Sequence, residues 1–292
     1  MTTDKRPSIG DATDFIWRTA RLIDRCRFSY HFLDGDRTAV VGALRPYQNP
    51  DGGFGHALEP DLRCPLSQPV PTWTALTVLD EVDAFTDPMV ASACEYLQRI
   101  TTPEGGVPFV LASARGYPHA PWWEAGEEPA ASLNPTAAIA ALLHKHHIDH
   151  PWLVRATAYC WQEMDTIDVT SPYTFRAVLP FLEYAPDRQR AEAAFERIGS
   201  QMRAHAVVAL DPDAPGEVHT PLDFAPRPDS MARRLFTDNV IGAHLDAVVS
   251  AQQPDGGWRF NFPEWNPLTT LEWRGWLTTE QLRLLRAYAR LP

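Results

Sequence analysis

Gln252-Gln253-Pro254-Asp255-Gly256-Gly257-Trp258, near the end of the chain, repeats the pattern of Gln48-Asn49-Pro50-Asp51-Gly52-Gly53-Phe54, near its start. A looser copy lies between them: Gln98, then Thr102-Pro103-Glu104-Gly105-Gly106-Val107-Pro108-Phe109. Proline cannot continue a helix, and two glycines take positive φ at little steric cost, so each stretch is a helix stop. The aromatic residue after it can fold back onto the helix, and the glutamine can bond loop backbone groups. The flanking segments have helical rather than alternating periodicity, so these turns join helices and do not close hairpins.

Each stop leads through a polar, proline-rich loop to a helix start. Val70-Pro71-Thr72-Trp73-Thr74 and Leu133-Asn134-Pro135-Thr136-Ala137 begin two helices, and Ser171-Pro172-Tyr173 and Thr237-Asp238-Asn239 open two more. Proline at the first helical position, with Ser, Thr or Asn before it, is the start signal. The pattern predicts helices near 12–33, 36–46, 72–84, 88–100, 135–147, 152–166, 173–184, 187–205, 238–251 and 278–290. Short connectors such as Asp34-Gly35 and Ala185-Pro186 alternate with long loops, and long loops in compact domains usually carry function. The predicted architecture is all-α: one α/α toroid across residues 1–292, a ring of about five to six antiparallel helix pairs with its long loops at one mouth.

Composition fits that picture. With 45% apolar and 22% charged residues the chain can bury a large core. A net charge of −11 excludes a nucleic-acid partner without a local basic run, and the sequence has none. Asp4, Lys5, Arg6 and Asp11 interrupt the first segment, which holds no apolar run long enough for a signal peptide or spanning helix, so the expectation is a cytoplasmic protein with no integral membrane association. Cys26, Cys64, Cys94 and Cys160 are widely spaced, which reads as reduced, mostly buried thiols.

Gln followed by Gly-Gly-Phe or Gly-Gly-Trp, and then a Pro-Thr helix start, resembles the prenyltransferase and squalene-cyclase repeat family, from about Asp36 to Trp258. The resemblance implies inner helices whose starts face an aromatic-lined cavity for an isoprenoid chain. It also implies two kinds of chemistry. Class II cyclases of that family protonate an alkene or epoxide with an Asp-x-Asp-Asp-Thr-Ala motif, whose best match here is Ser132-Leu133-Asn134-Pro135-Thr136-Ala137, without the acids. Asn134 can hold a hydrogen bond but cannot deliver a proton of useful acidity. The prenyltransferases hold zinc with an Asp-x-Cys pair, which this sequence lacks. His56, Asp61 and Cys64 have ligand types but no second cluster to complete a shell, so neither metal nor cofactor is expected.

Other residues are candidates for chemistry. His56-Ala57-Leu58-Glu59-Pro60-Asp61-Leu62-Arg63 follows the first repeat and concentrates two carboxylates, a histidine and an arginine. Glu59 or Asp61 would act as general acid or base with His56 as partner, and Arg63 would contact ligand; the structural alternative is a capped turn with Arg63 paired to Glu59. Asp238, which with Asn239 opens the expected last inner helix, is the third catalytic candidate, with N-capping as the alternative role for one of the two. Trp73, Trp122, Trp123, Asn134, Asn239, Tyr173 and Arg176 are candidate ligand contacts; Tyr173 and Arg176 share a helix face, and Arg176 suits a diphosphate or carboxylate. Tandem tryptophans either line a pocket or plug the ring. Trp258, Trp265, Trp273 and Trp276 read mainly as ring closure, and His144, His146 and His147 as charge matching at a helix C-terminus.

Three functions remain in play: an isoprenoid-binding, cyclase-like protein; a carbohydrate-active α/α barrel using paired carboxylates; and a non-catalytic binding protein.

Overall fold

The computed structural model describes residues 7–167 and 170–291. Asp4, Lys5 and Arg6, three of the charges read above against a signal peptide, lie outside the described residues. In chain order the helices are α1 (Ile9–Thr19), α2 (Leu22–Phe32), α3 (Arg37–Leu44), α4 (Pro69–Glu81), α5 (Pro88–Arg99), α6 (Leu133–Lys145), α7 (Pro151–Glu163), α8 (Pro172–Tyr184), α9 (Arg188–Ala204), α10 (Pro221–Phe224), α11 (Asp238–Ser250) and α12 (Pro267–Ala287). The fold is all-α: among the described residues, β-pairing is confined to isolated bridges. The residues form two compact units, one spanning Leu44–His205 and one assembled from Met1–Ala43 with Ala206–Pro292.

In the Leu44–His205 unit, burial separates inner from outer helices. In α6 nearly every side chain from Leu133 to Leu143 is buried, whereas α5 alternates buried Met89, Val90, Ala93, Cys94 and Leu97 with exposed Ser92, Glu95, Gln98 and Arg99. A helix buried all round is internal, and an amphipathic one faces water. Ala137, Ala138, Ala140 and Ala141 keep α6 slim, and it packs extensively against α8 and also against α4. Helices α4 and α6 run in the same direction. At their heads, Gln68 accepts from the Leu111 N–H at 2.8 Å and Ser132 donates its N–H to the Val107 carbonyl at 3.0 Å, so both starts are tied to the 101–132 loop. At their tails, Asp80 of α4 meets Lys145 at 2.7 Å and His146 at 2.5 Å.

The three repeat turns are built alike. Each closes with a pair of backbone bonds: Asn49 N–H to Gly53 O and Gly52 N–H to Asn49 O, both 2.9 Å; then Thr102 with Gly106 and Gly105; then Gln253 with Gly257 and Gly256. The first glycine of each has positive φ, 88° at Gly52, 106° at Gly105 and 94° at Gly256. A Cβ there would press on a carbonyl of another helix: Ser92 of α5, Arg155 of α7 or Asp11 of α1. The second glycine lies under an aromatic ring one turn further along that same helix, Tyr96, Tyr159 or Phe15. The residue after the glycines then donates its N–H to a threonine on the following helix: Phe54 to Thr72 at 3.1 Å, Val107 to Thr136 at 2.9 Å, Trp258 to Thr278 at 3.1 Å. Gln48 bonds the Gly52 and Met89 carbonyls, and Gln252 bonds the Gly256 and Ser8 carbonyls, so each glutamine staples its turn to the start of the helix it docks on.

In the unit formed by both chain ends, Phe15, Ile16 and Phe28 from the N-terminal side pack with Ile241, Leu245, Trp258, Leu282 and Leu285 from the C-terminal side. Trp258 is therefore core, and its Nε1 donates to the Val248 carbonyl at 2.9 Å.

Four expectations are corrected. The helix expected over 12–33 is two helices, because Ala20 and Arg21 are extended (ψ 156° and 160°) where Gly275 of α12 sits too close to Ala20 for a Cβ. Helix α4 begins at Pro69, before the predicted start, since both Pro69 and Pro71 fit its first turn. Helix α12 begins at Pro267 rather than near 278, capped by the Asn266 side chain on the Leu268 and Thr269 N–H groups. Finally, α11 is not the last inner helix. It leads into the Gln252 turn as α5 leads into the Thr102 turn, and Thr278, the counterpart of Thr72 and Thr136, belongs to α12.

Candidate functional site

The mouth is expected where the long loops gather, and within the Leu44–His205 unit the long loops meet where α4 and α6 begin. There the loop after the first repeat pairs with the loop before α6. Ala120 donates its N–H to the Asp61 carbonyl at 2.9 Å, Arg63 donates to the Pro118 carbonyl at 3.0 Å, and Leu62 faces His119. This short ladder takes both carboxylates out of solvent: Glu59 is 6% exposed and Asp61 2%. Carboxylates are rarely that buried without partners, and both engage other groups.

Neighbouring residues are fixed by neutral hydrogen bonds. Gln68 donates to Ser113 Oγ at 2.8 Å while accepting from Leu111, which locks the loop to the head of α4. Cys64 lies between Gln68 and the Ser113 carbonyl, and burial pushes its thiol pKa up, so it is poorly suited to act as a thiolate ligand. His56 is exposed, in the left-handed region (φ 54°), with Nε2 2.9 Å from Asn49 Oδ1. Arg63 reaches the Pro60 carbonyl at 3.3 Å, bracing the turn that holds Glu59 and Asp61.

The tandem tryptophans separate. Trp123 is 4% exposed and stacks on Phe109, with ring centroids 4.6 Å apart and planes 8° from parallel, while Trp122 stands 42% exposed. Leu66 and Tyr117, within a few residues of the ladder, are exposed as well, giving this end an apolar rim. Trp73 is half-buried on α4, and Asn134 is half-buried at the head of α6, where its extended backbone (φ −98°, ψ 111°) delays the regular helix until Pro135. Tyr173 and Arg176 are exposed on the first turns of α8.

Asp238 and Asn239 belong to the other unit. Thr237, not either of them, caps α11, and Asp238 is exposed and pairs with Arg233.

The sequence reading missed two features here. His119, brought opposite Leu62 by the ladder, has its Nε2 3.7 Å from Glu124; it lies 58 residues beyond Asp61 in a stretch with no periodic signal. In the other unit Arg27 is fully buried on α2, with Glu280 as its partner, Asp24 3.7 Å away and the Trp276 ring 3.6 Å below its guanidinium. Charges at Arg21, Asp24, Arg25 and Arg27 resemble a solvated helix face, which hid it. His144, half-buried against Thr157, has its pKa lowered by desolvation.

Neither a family model nor a curated relative matches the sequence. Among solved structures, a protein from Actinoplanes aligns over 96% of this chain and 98% of its own, with a TM-score of 0.62 and 15% identity. Type II terpene cyclase MstE from Scytonema, without ligand, aligns over 96% of this chain and 88% of its own, with a TM-score of 0.55 and 14% identity. A variant of MstE in complex with its product, merosterolic acid A, gives a TM-score of 0.52 and 15% identity over 97% and 87%. At such identities the likeness is one of fold: the chain has a terpene-cyclase-like, all-helical fold. Among the described residues, no helix is long and apolar enough to cross a membrane.

Proposed function

We propose that this protein binds an isoprenoid or similarly apolar small molecule where α4 and α6 begin, and that Glu59 and Asp61 supply the acid–base chemistry in place of the acid motif missing at Asn134. The observation that carries the reading is the joint burial of two carboxylates beneath a loop pair that also brings in the stacked Phe109–Trp123 rings and an apolar rim. An apolar ligand gains from that surface, and a carboxylic acid held out of water beside it is the kind of group that gives its proton to an alkene carbon, the π pair forming the new C–H bond. The fold shared with a terpene cyclase whose product complex is known supports the same ligand class. The proposal includes a single 1–292 domain and involves no zinc.

Native mass spectrometry of protein purified from its own host tests this, with Glu59→Gln, Asp61→Asn and Trp123→Ala beside it. The expected result is a co-purifying apolar mass that is lost in Trp123→Ala and retained in the two amide variants, with turnover of the identified ligand falling at least about 100-fold in one of them. A bound glycan would overturn the reading in favour of carbohydrate chemistry. Binding with wild-type turnover in both amide variants would remove the catalytic role of the carboxylates.

A further inference from the structure

With Glu59 6% and Asp61 2% exposed, a ligand reaches either carboxylate only if the chain around them moves. The chain paired with theirs is one short piece, residues 117–125. Its Pro118 carbonyl accepts from the Arg63 N–H at 3.0 Å, its Ala120 N–H donates to the Asp61 carbonyl at 2.9 Å, and its Trp123 ring stacks on Phe109. The piece is held together internally: Trp123 donates its N–H to the Ala120 carbonyl at 2.9 Å, and His119 Nε2 lies 3.7 Å from Glu124. Arg115 draws its two ends together, with Nε donating to the Ala125 carbonyl at 2.7 Å. A compact surface loop with joined ends is an Ω-loop, which packs on itself and so shifts as a body.

Gly116 and Gly126 bound this piece, one at each end, and a Cβ on either would meet nothing within 4 Å, whereas at the first glycines of the repeat turns it would press on a carbonyl of another helix. Crowding therefore does not call for glycine at 116 or 126. Gly116 takes a positive φ of 84° in the turn from Ala114 to Tyr117, but Gly126 lies outside the left-handed region, and what glycine supplies there is backbone freedom. Beyond the two glycines the chain is pinned. On one side the Leu111 N–H and Ser113 Oγ both bond the Gln68 amide at 2.8 Å; on the other the Ser132 N–H bonds the Val107 carbonyl at 3.0 Å and Ala131 bridges Pro108. We propose that residues 117–125 are a lid, hinged at Gly116 and Gly126, that swings off the 61–63 stretch to admit ligand to Glu59 and Asp61. The admission role rests on the reading of those carboxylates above; the opening itself does not.

Amide hydrogen exchange of the full-length protein, read residue by residue by NMR and corrected for intrinsic rates, tests the lid without any ligand. The Ala120 and Arg63 N–H groups bond across the seat of the lid, while the Val107 N–H, on Thr136 Oγ1, and the Ser132 N–H mark the pinned neck. Ala120 and Arg63 are expected to exchange through one common opening, at least about 100-fold faster than Val107 and Ser132 and at least about 100-fold slower than an unstructured chain. Gly126→Ala, which removes backbone freedom from the open state, slows both about 2- to 5-fold and leaves the neck unchanged. Trp123→Ala, which takes the ring off Phe109, speeds both at least about 5-fold; should it fail to fold, Gly126→Ala decides alone. Exchange of Ala120 and Arg63 in step with the neck would mean a fixed cover, exchange at the unstructured rate would mean no closed state, and rates unmoved by Gly126→Ala would mean no hinge there; each overturns the lid. The ligand reading is judged apart from it: a co-purifying apolar mass beside a fixed cover keeps the ligand and discards the lid, and an opening lid with no apolar ligand discards the admission role.

Discussion

Asp255 shows what the repeat motif does residue by residue. Its carboxylate accepts from the Gly257 N–H at 3.1 Å and is clasped by both terminal nitrogens of Arg274, at 2.7 and 2.8 Å. The Arg274 hydrogen bonds are the main reason its pKa falls below the ordinary carboxylate value. A depressed folded-state pKa stabilises the fold above the unfolded value of about 3.9, and the contribution is lost as pH falls through the folded value. Asp255→Asn keeps the turn's acceptor and removes the charge. Because the pair is partly solvated, the loss in urea unfolding at pH 7 is expected to be a few tenths to about 1 kcal/mol. It shrinks in high salt and is lost as pH falls through the depressed folded-state pKa; a difference that persisted once Asp255 is protonated in the folded protein would assign the effect to the turn and not to the charge. The sequence marks the stretch around Asp255 as a helix stop, but shows neither the acceptor role of its carboxylate nor its partner Arg274, which lies beyond a loop and inside a helix that begins earlier than its pattern suggests. The same limit applies at the site. Glu59 and Asp61 stood out as a dense local cluster, while their burial depends on residues 118–120, a pairing that no local pattern encodes.

At the scale of the element, the stops were easier to read than the starts. Pro-Asp-Gly-Gly announces itself, because only glycine tolerates the positive φ and close approach at Gly52 and Gly256. The break at Ala20 and the onset of α12 carry no comparable signal. The first follows from packing against Gly275, and the second is obscured because α12 buries Thr269, Glu272, Thr278 and Thr279 among its apolar residues. Equally unreadable was the partner of each turn, since the aromatics over the second glycines, Tyr96, Tyr159 and Phe15, belong to helices at different sequence separations. Docking of turn on helix is separable from backbone strain by comparing two substitutions. Gly116→Ala, at φ 84° with open space around it, meets strain alone and is expected to cost about 1–2 kcal/mol. Gly256→Ala, at φ 94°, also drives a methyl into the Asp11 carbonyl of α1 and is expected to cost about 3–5 kcal/mol. Equal losses in thermal or denaturant unfolding would mean that the last turn bears little on α1.

At the scale of the molecule, the first and last segments fold as one unit. Residues up to Ala43 share a core with those after Ala206, and the staple between them is the same Gln-to-helix-start device that joins neighbouring repeats: Gln252 donates to the Ser8 carbonyl and accepts from the Ser8 N–H. The chain crosses out of the Leu44–His205 unit and back only through α3 and the largely exposed 206–217 segment, so cutting the second crossing severs the covalent link without touching the core. Each side contributes several large buried side chains, Phe15, Ile16 and Phe28 against Trp258, Leu282 and Leu285, at about 1.5–3 kcal/mol apiece, set against an association cost of about 4–15 kcal/mol. The Arg27–Glu280 pair also joins the two sides, Arg27 lying on α2 beside Asp24 and Glu280 on α12. A protease recognition sequence inserted after Asp213 and cleaved in the folded protein should therefore give two fragments that co-elute at the intact size under native conditions and part only in denaturant. Fragments that separated natively would show that the terminal helices α1 and α2 do not depend on α12 for their core.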